Sequence, residues 1–118
     1  MAKNFRYMWT QSLPLQCTAP ATPQSGDPVL AGQIPGVALT AKDTNNLNTV
    51  ALDGVADLSV KGENNAGNIA VAVGDILYYE AGQTPPINKD NVAGVRFGYA
   101  LGAVSSGATT TITVKVGY

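Results

Sequence analysis

The chain contains no histidine and only one cysteine, Cys17, among its 118 residues. Without histidine, the commonest general base and metal ligand is missing, so neither a Ser-His-Asp nor a Cys-His arrangement can be built. A single cysteine cannot form a disulfide within the chain, and it cannot hold a metal ion alone. We therefore interpret Cys17 as a small buried apolar residue, and we predict no enzyme activity, no cofactor and no metal site.

Charged residues are also few, at 13% of the chain with a net charge of −1, against about a quarter in a typical domain. The basic residues are scattered along the chain: Lys3, Arg6, Lys42, Lys61, Lys89, Arg96 and Lys115. A nucleic-acid-binding protein usually concentrates such residues on one face, so we predict no nucleic-acid partner. A surface rich in amides and hydroxyls suits contact with another protein, because little charge has to be desolvated.

Long hydrophobic runs are missing as well. No stretch of about 20 apolar residues could cross a membrane, and no apolar segment follows Lys3 and Arg6 as it would in a signal peptide. We therefore expect a soluble chain that is made in a cytoplasm and has no membrane partner.

The sequence instead alternates short β-strand patterns with turn residues. Helical spacing of apolar residues is absent, apart from one short helix that residues 84–91 could hold. Such a pattern predicts a single all-β domain, either a β-barrel or a β-sandwich of short antiparallel strands. Asp53-Gly54 is typical of a hairpin turn, and Gly98 within a strand indicates a bulge or a close backbone approach. The predicted strands of the body are 29–30, 37–40, 49–52, 55–61, 69–73, 76–79, 95–101 and 109–116.

The N-terminal segment alternates with a period of two residues, which predicts an extended strand with one apolar face. Six apolar residues occupy odd positions: Phe5, Tyr7, Trp9, Leu13, Leu15 and Cys17. Pro14 lacks an N–H group, so it favours an edge strand or an arm. We predict an extended arm or edge strand with a proline-rich linker in residues 1–23, and a β-barrel body in residues 24–118. The segment either closes the domain's own sheet or docks on a partner by adding a strand.

One phrase occurs twice in the body. Gly26-Asp27-Pro28-Val29-Leu30 is followed by Gly36-Val37-Ala38-Leu39, and Gly74-Asp75-Ile76-Leu77 by Gly98-Tyr99-Ala100-Leu101. In each, Gly-Asp is typical of a turn, because glycine supplies unusual φ values and the aspartate can accept from nearby backbone N–H groups. The repeat predicts two similar β-hairpin units that pack on each other.

The carboxylates give only weak evidence of a catalytic site or a calcium site. Asp57 and Glu80 could be proposed as the two acids of a glycosidase, but nothing in the sequence selects them. Asp43, Asn45 and Asn46 could be proposed as calcium ligands, but the glycine and the distal glutamate of the helix-loop-helix pattern are missing. A small enzyme is therefore the least favoured of the functions considered.

Two aromatic pairs could form a stacking platform for a glycan or for single-stranded nucleic acid. Tyr78 and Tyr79 are neighbours on a predicted strand, so their side chains point to opposite faces. Phe97 and Tyr99 share a face, and we predict that they lie in the core. An OB-like barrel that binds such a ligand is the alternative function.

The order of segments resembles the small tailed-phage proteins of the DUF2190 family, which are capsid cement or decoration proteins. The segments that carry the resemblance span nearly the whole chain: residues 1–5, Thr18-Ala19-Pro20, the two copies of the repeated phrase, Val73-Gly74-Asp75 and Gly107-Ala108-Thr109-Thr110. The resemblance implies a β-rich body without catalysis that binds the outer surface of an assembled head, commonly as a trimer. Its expected partners are the major capsid protein and further copies of itself.

A cement protein that bridges capsid subunits would stabilise the shell, because it binds the assembled lattice and not its dissociated parts. The N-terminal segment contains more aromatic residues than the corresponding segment of shorter members of the family that the chain resembles. We therefore predict capsid contacts at Lys3, Phe5, Arg6, Tyr7 and Trp9, on the outside of the virion.

Overall fold

The structure is a computed structural model that describes residues 11–117. Within this range the chain forms strands and turns and no helix, so the predicted all-β class is confirmed. The strands are β1 (Ser12–Leu15), β2 (Pro28–Ala31), β3 (Ile34–Ala38), β4 (Asn48–Ala51), β5 (Gly54–Lys61), β6 (Glu63–Asn64), β7 (Gly67–Asn68), β8 (Ile76–Tyr79), β9 (Ile87–Asn88), β10 (Val95–Ala100) and β11 (Thr109–Val116).

The strands form a four-stranded sheet, a closed barrel and a small hairpin. The sheet has the order β1-β4-β3-β2, the barrel has the order β10-β11-β5-β9-β8, and β6 pairs with β7. All pairs are antiparallel except β5 with β9. Strand β1 lies at the edge of its sheet, as Pro14 predicts. The division into residues 1–23 and 24–118 stays a prediction.

Asp53-Gly54 connects the sheet to the barrel, so the predicted hairpin at this turn is wrong. Strand β4 pairs with β1 and β3, whereas β5 pairs with β11 and β9. The local turn chemistry is present, because the Asp53 carboxylate accepts from the Gly54 N–H at 2.8 Å and Gly54 has a φ of 118°. The turn therefore redirects the chain without pairing the two strands that flank it.

The two copies of the repeated phrase form the same backbone hydrogen bonds. The N–H of Gly26 donates to the Ala38 carbonyl at 2.7 Å, and the N–H of Gly74 donates to the Ala100 carbonyl at 2.7 Å. The two glycines have φ values of 91° and 92°. The predicted duplication is therefore confirmed in the backbone.

The aspartates of the repeat also have equivalent roles. Asp27 accepts from the N–H of Gln24 at 2.9 Å, and Asp75 accepts from the N–H of Ala72 at 2.8 Å. Each carboxylate thus closes the turn in front of its strand, as the sequence predicts.

The strand registers extend this equivalence to two four-stranded units. Val37 lies opposite Ala51 in β4 as Tyr99 lies opposite Lys115 in β11. The same comparison of registers matches β1 with β5, β2 with β8, β3 with β10 and β4 with β11, in the same order along the chain. The second unit adds β6, β7 and β9, and Ile87 of β9 closes the barrel by pairing with Val60 and Tyr79.

Four buried positions correspond between the cores of the two units. Cys17, Val29, Ala38 and Val50 are buried together in the first unit, and their register equivalents in the second are Val60, Leu77, Ala100 and Val114. Cys17 thus occupies the place of a valine, and burial raises the pKa of its thiol. Its interpretation as a small apolar residue is confirmed. The units pack on each other, since Leu30 and Val37 belong to the barrel core.

A bulge in β10 reverses the alternation of its side chains. The pairing with β8 shifts between Arg96 and Gly98. Phe97 is fully buried, whereas Tyr99 is partly exposed beside Arg96. The predicted bulge at Gly98 is confirmed, but the prediction that Phe97 and Tyr99 share a buried face is wrong.

Residues 69–73 do not form the predicted strand. Within them Val71 makes one isolated bridge to Val104, and the two residues exchange both backbone hydrogen bonds. The region that could have held a short helix contains turns and β9.

Candidate functional site

The predicted capsid contacts Lys3, Phe5, Arg6, Tyr7 and Trp9 lie outside the described residues, so their role stays a prediction. The alternation of apolar and polar residues in the N-terminal segment continues through β1 to Cys17. Leu13 and Leu15 are partly buried and Cys17 is buried, whereas the even-numbered residues between them are exposed. The edge of β1 that faces away from β4 pairs with no strand of residues 11–117.

The carboxylates considered for catalysis or calcium binding each have a structural partner. Asp57 accepts from the Thr113 hydroxyl at 3.1 Å, and Glu80 accepts from the Asn88 amide at 3.0 Å. Asp43 accepts from the backbone N–H groups of Asn45 and Leu47 at 2.8 and 3.0 Å, so it orders its own loop.

Within residues 11–117, no three cysteine, aspartate or glutamate residues lie close enough together to hold a metal ion.

The four aromatic residues of the barrel do not form a paired stacking platform. Tyr79 and Phe97 are buried, with ring centroids 6.4 Å apart. Tyr99 lies against two cations, with Arg96 at 5.4 Å and Lys115 at 5.9 Å from the ring centroid. Tyr78 points outward from β8 and is half-buried, whereas the neighbouring Tyr79 is buried.

Tyr78 lines a polar surface cleft of about 450 Å³, which we call the β8 cleft. Its lining comes from the β6–β7 hairpin, the start of β8 and the segment after β9: Asn64, Asn65, Gly74, Asp75, Ile76, Tyr78, Lys89 and Asn91. The volume is within the range of small-ligand sites.

The two charged residues of the β8 cleft form an ion pair. The Lys89 ammonium donates to Asp75 Oδ2 at 2.9 Å and to the Ala70 carbonyl at 3.3 Å. The hydrogen bond from the Ala72 N–H, followed by that from Lys89, holds the pKa of Asp75 below its usual range. Asp75 is therefore a fixed, charged acceptor at neutral pH.

A second surface feature is the pair of exposed leucines at equivalent places in the repeat. Leu39 is 51% exposed and Leu101 is 44% exposed. Their N–H groups donate to the Thr49 and Thr113 carbonyls at 2.8 and 2.9 Å, which again are equivalent positions. We call Leu39 and Leu101 the paired leucines. Neither side chain belongs to the core of its unit, so internal packing does not explain why both are leucine.

Comparison with known proteins identifies one family. A family model described as phage cement protein matches residues 9–116. No curated protein and no solved structure is similar enough to count as a match. Within residues 11–117, no helix is long and apolar enough to cross a membrane.

Proposed function

The chain belongs to the phage cement protein family, and from this premise we propose that it binds the outer surface of an assembled tailed-phage head as a homotrimer. Family membership implies binding to a phage capsid and a place in the virion. We further propose, in agreement with the resemblance to the DUF2190 proteins, that the chain bridges neighbouring major capsid protein subunits. It stabilises the shell without catalysis.

The physical basis of this function is mass action. A protein that contacts two adjacent subunits binds the lattice more tightly than it binds separated subunits, so its binding energy favours the assembled state. A symmetric oligomer repeats the same contact at each symmetry-related position. Once one contact of the oligomer has formed, the next contact is intramolecular and forms at a high effective concentration. Several weak contacts can therefore give tight binding together.

The duplicated unit is the observation that carries the bridging proposal. Because the two units share their strand order and their hydrogen bonds, one chain presents the same backbone framework twice, with an exposed leucine at the same place in each. A capsid likewise presents the same surface on each neighbouring subunit. We propose that the paired leucines contact equivalent apolar pockets on two adjacent subunits.

The paired leucines give the test of bridging. Heads that lack the protein are titrated with purified full-length chain and sedimented, and we expect a plateau at a fixed number per head that is a multiple of three. Leu39→Ser and Leu101→Ser should each weaken binding about tenfold, since each loses about 1.5 kcal/mol of binding free energy from the burial of an apolar side chain. The double variant should not reach the plateau at protein concentrations that saturate the heads with the unaltered chain.

Val92→Ser is the matched control, because Val92 is 73% exposed and lies outside the repeated phrase. This variant should bind as the unaltered chain does. Absence of any binding to heads would overturn the proposed function, whereas binding that ignores both leucines would overturn only their role.

The N-terminal segment is the second proposed contact. The unpaired edge of β1 can be extended by a strand of the capsid, which is a common mode of peptide recognition. We propose that Phe5, Tyr7 and Trp9 bury their rings on the shell, with Lys3 and Arg6 beside them.

Replacing all three aromatic residues with serine should remove head binding in the same sedimentation assay, while the melting temperature stays within a few degrees of the original. Aromatic anchors of this kind usually dominate an interface. A large fall in melting temperature would instead show that these rings belong to the core.

A further inference from the structure

We propose that the β8 cleft binds a neutral oligosaccharide. The cleft combines an outward aromatic ring, three asparagine side chains and one oriented carboxylate within about 450 Å³. This binding would be a second activity beyond attachment to the head, and neither of the paired leucines lines the β8 cleft.

Tyr78 supplies a rigid apolar surface. It lies in β8 between Leu77 and Tyr79, which are buried, so the strand fixes its ring on the outer face. Its hydroxyl makes no hydrogen bond with any residue of the described range, and the ring is only half-buried. An aromatic residue of this kind presents an apolar face with a polar tip, which matches the C–H face and the hydroxyl rim of a pyranose.

The asparagines supply donors and acceptors that the fold does not use. The side chains of Asn65 and Asn91 are exposed and form no hydrogen bond within residues 11–117. Asn64 uses its Oδ1 to accept from the Ala66 N–H at 2.9 Å, which leaves its NH₂ group available. Each amide offers both a donor and an acceptor, so it can pair with two neighbouring hydroxyls of a sugar ring.

Asp75 adds a charge-assisted acceptor. Its Oδ2 is occupied by the Ala72 N–H and the Lys89 ammonium, whereas its Oδ1 accepts no hydrogen bond from the described residues. Because these two donors hold the carboxylate in place, Oδ1 can accept from a sugar hydroxyl without reordering the site. Hydrogen bonds to a charged acceptor are about twice as strong as neutral ones.

The electrostatics of the cleft disfavour other ligand classes. A phosphate or a nucleic-acid backbone would have to displace Asp75 from Lys89 and would meet its negative charge. An apolar ligand would cover the unpaired amides and leave them without water, which costs free energy for each group. A neutral polyhydroxyl ligand avoids both penalties.

The test is an NMR titration of the ¹⁵N-labelled full-length chain with maltohexaose, cellohexaose and chitohexaose, each at millimolar concentration, and with oligothymidine for comparison. We expect at least one hexasaccharide to shift signals of the cleft residues saturably. Tyr78→Ala should weaken that binding by about tenfold or more. Tyr99→Ala is the matched control, because Tyr99 is also partly exposed but lies against Arg96 and Lys115, and it should leave the affinity unchanged.

Several outcomes would overturn the proposal: no saturable shift with any of the three sugars, an unchanged affinity in Tyr78→Ala, or oligothymidine binding at the same signals. If Tyr78→Ala does not fold, the double variant Asn65→Ala with Asn91→Ala replaces it, since both side chains are exposed. That variant should lose about fivefold or more in affinity, and unchanged binding would overturn the proposal. The free chain is used throughout, so the result is independent of head binding.

Discussion

Phe97→Ala is expected to lower the free energy of unfolding by about 3–5 kcal/mol, because it removes a large ring from the centre of the barrel. Phe97 is fully buried and packs against Tyr79, with the ring centroids 6.4 Å apart. The barrel is closed, so its strands cannot move inward freely to fill the space. A loss of this size is a large part of the total stability of a small domain.

Tyr99→Ala is the matched control for this prediction, since it removes a second aromatic ring two residues further along β10. Tyr99 is partly exposed, and the variant loses the contacts of its ring with the Arg96 and Lys115 cations and the hydrogen bond that the Arg96 guanidinium donates to its hydroxyl. Cation–π contacts contribute about 0.5–1 kcal/mol at exposed sites, and a hydrogen bond contributes about 0.5–1.5 kcal/mol. Urea unfolding of both variants measures the difference. Equal losses would mean that the two rings share a face and that the bulge is absent.

Where strands are long and regular, the sequence pattern predicted both the element and its buried face. Strand β11 pairs with β5 over its whole length without a shift in register. The buried residues are therefore those that a two-residue period places on one face, Ile112, Val114 and Val116 in β11 and Leu58 and Val60 in β5. An unbroken ladder preserves the two-residue period that the sequence displays.

The pattern failed where pairing depends on distant parts of the chain. Gly98 indicated a bulge, but the resulting change of face between residues 97 and 99 depends on how β8 and β11 pair with β10. Asp53-Gly54 has the local chemistry of a hairpin turn, yet which strands pair is decided by tertiary structure. Strand β9 has two residues, which is too short to show any period, although it closes the barrel.

The candidate sites were predictable to different degrees. The repeated phrase already contains both Leu39 and Leu101, so the duplication pointed to their equivalence, although their exposure depends on the packing of the two units. The β8 cleft was not predictable as a whole, because its residues come from separate segments that only the barrel brings together. Sequence reasoning did select Tyr78 as a possible stacking residue, and the structure distinguishes it from the buried Tyr79.

Gly98→Ala is the other substitution with a large expected effect, and we expect it to cost about 3 kcal/mol or more. A Cβ atom at this position would overlap the backbone carbonyl oxygen of Lys115 and lie 3.3 Å from the Val116 Cα. Both groups belong to β11, whose ladder with β5 holds it in place. The added methyl group can be accommodated only if β10 and β11 separate, which would open the barrel.

Two other glycines separate this steric effect from the general cost of losing a glycine. Gly67 has a φ of 133° and open space around its Cα, so Gly67→Ala should cost about 1–3 kcal/mol from backbone strain alone. Gly36, the equivalent of Gly98 in the first unit, would place a Cβ in overlap with the Val50 Cγ1 and 2.7 Å from the Ala51 carbonyl oxygen. Gly36→Ala should therefore be destabilising but less so, because β4 lies in an open sheet that can adjust. Urea unfolding would give the order Gly98, Gly36, Gly67. A Gly98→Ala variant no less stable than Gly67→Ala would contradict the close approach of β10 and β11, and with it the geometry that places Phe97 in the core.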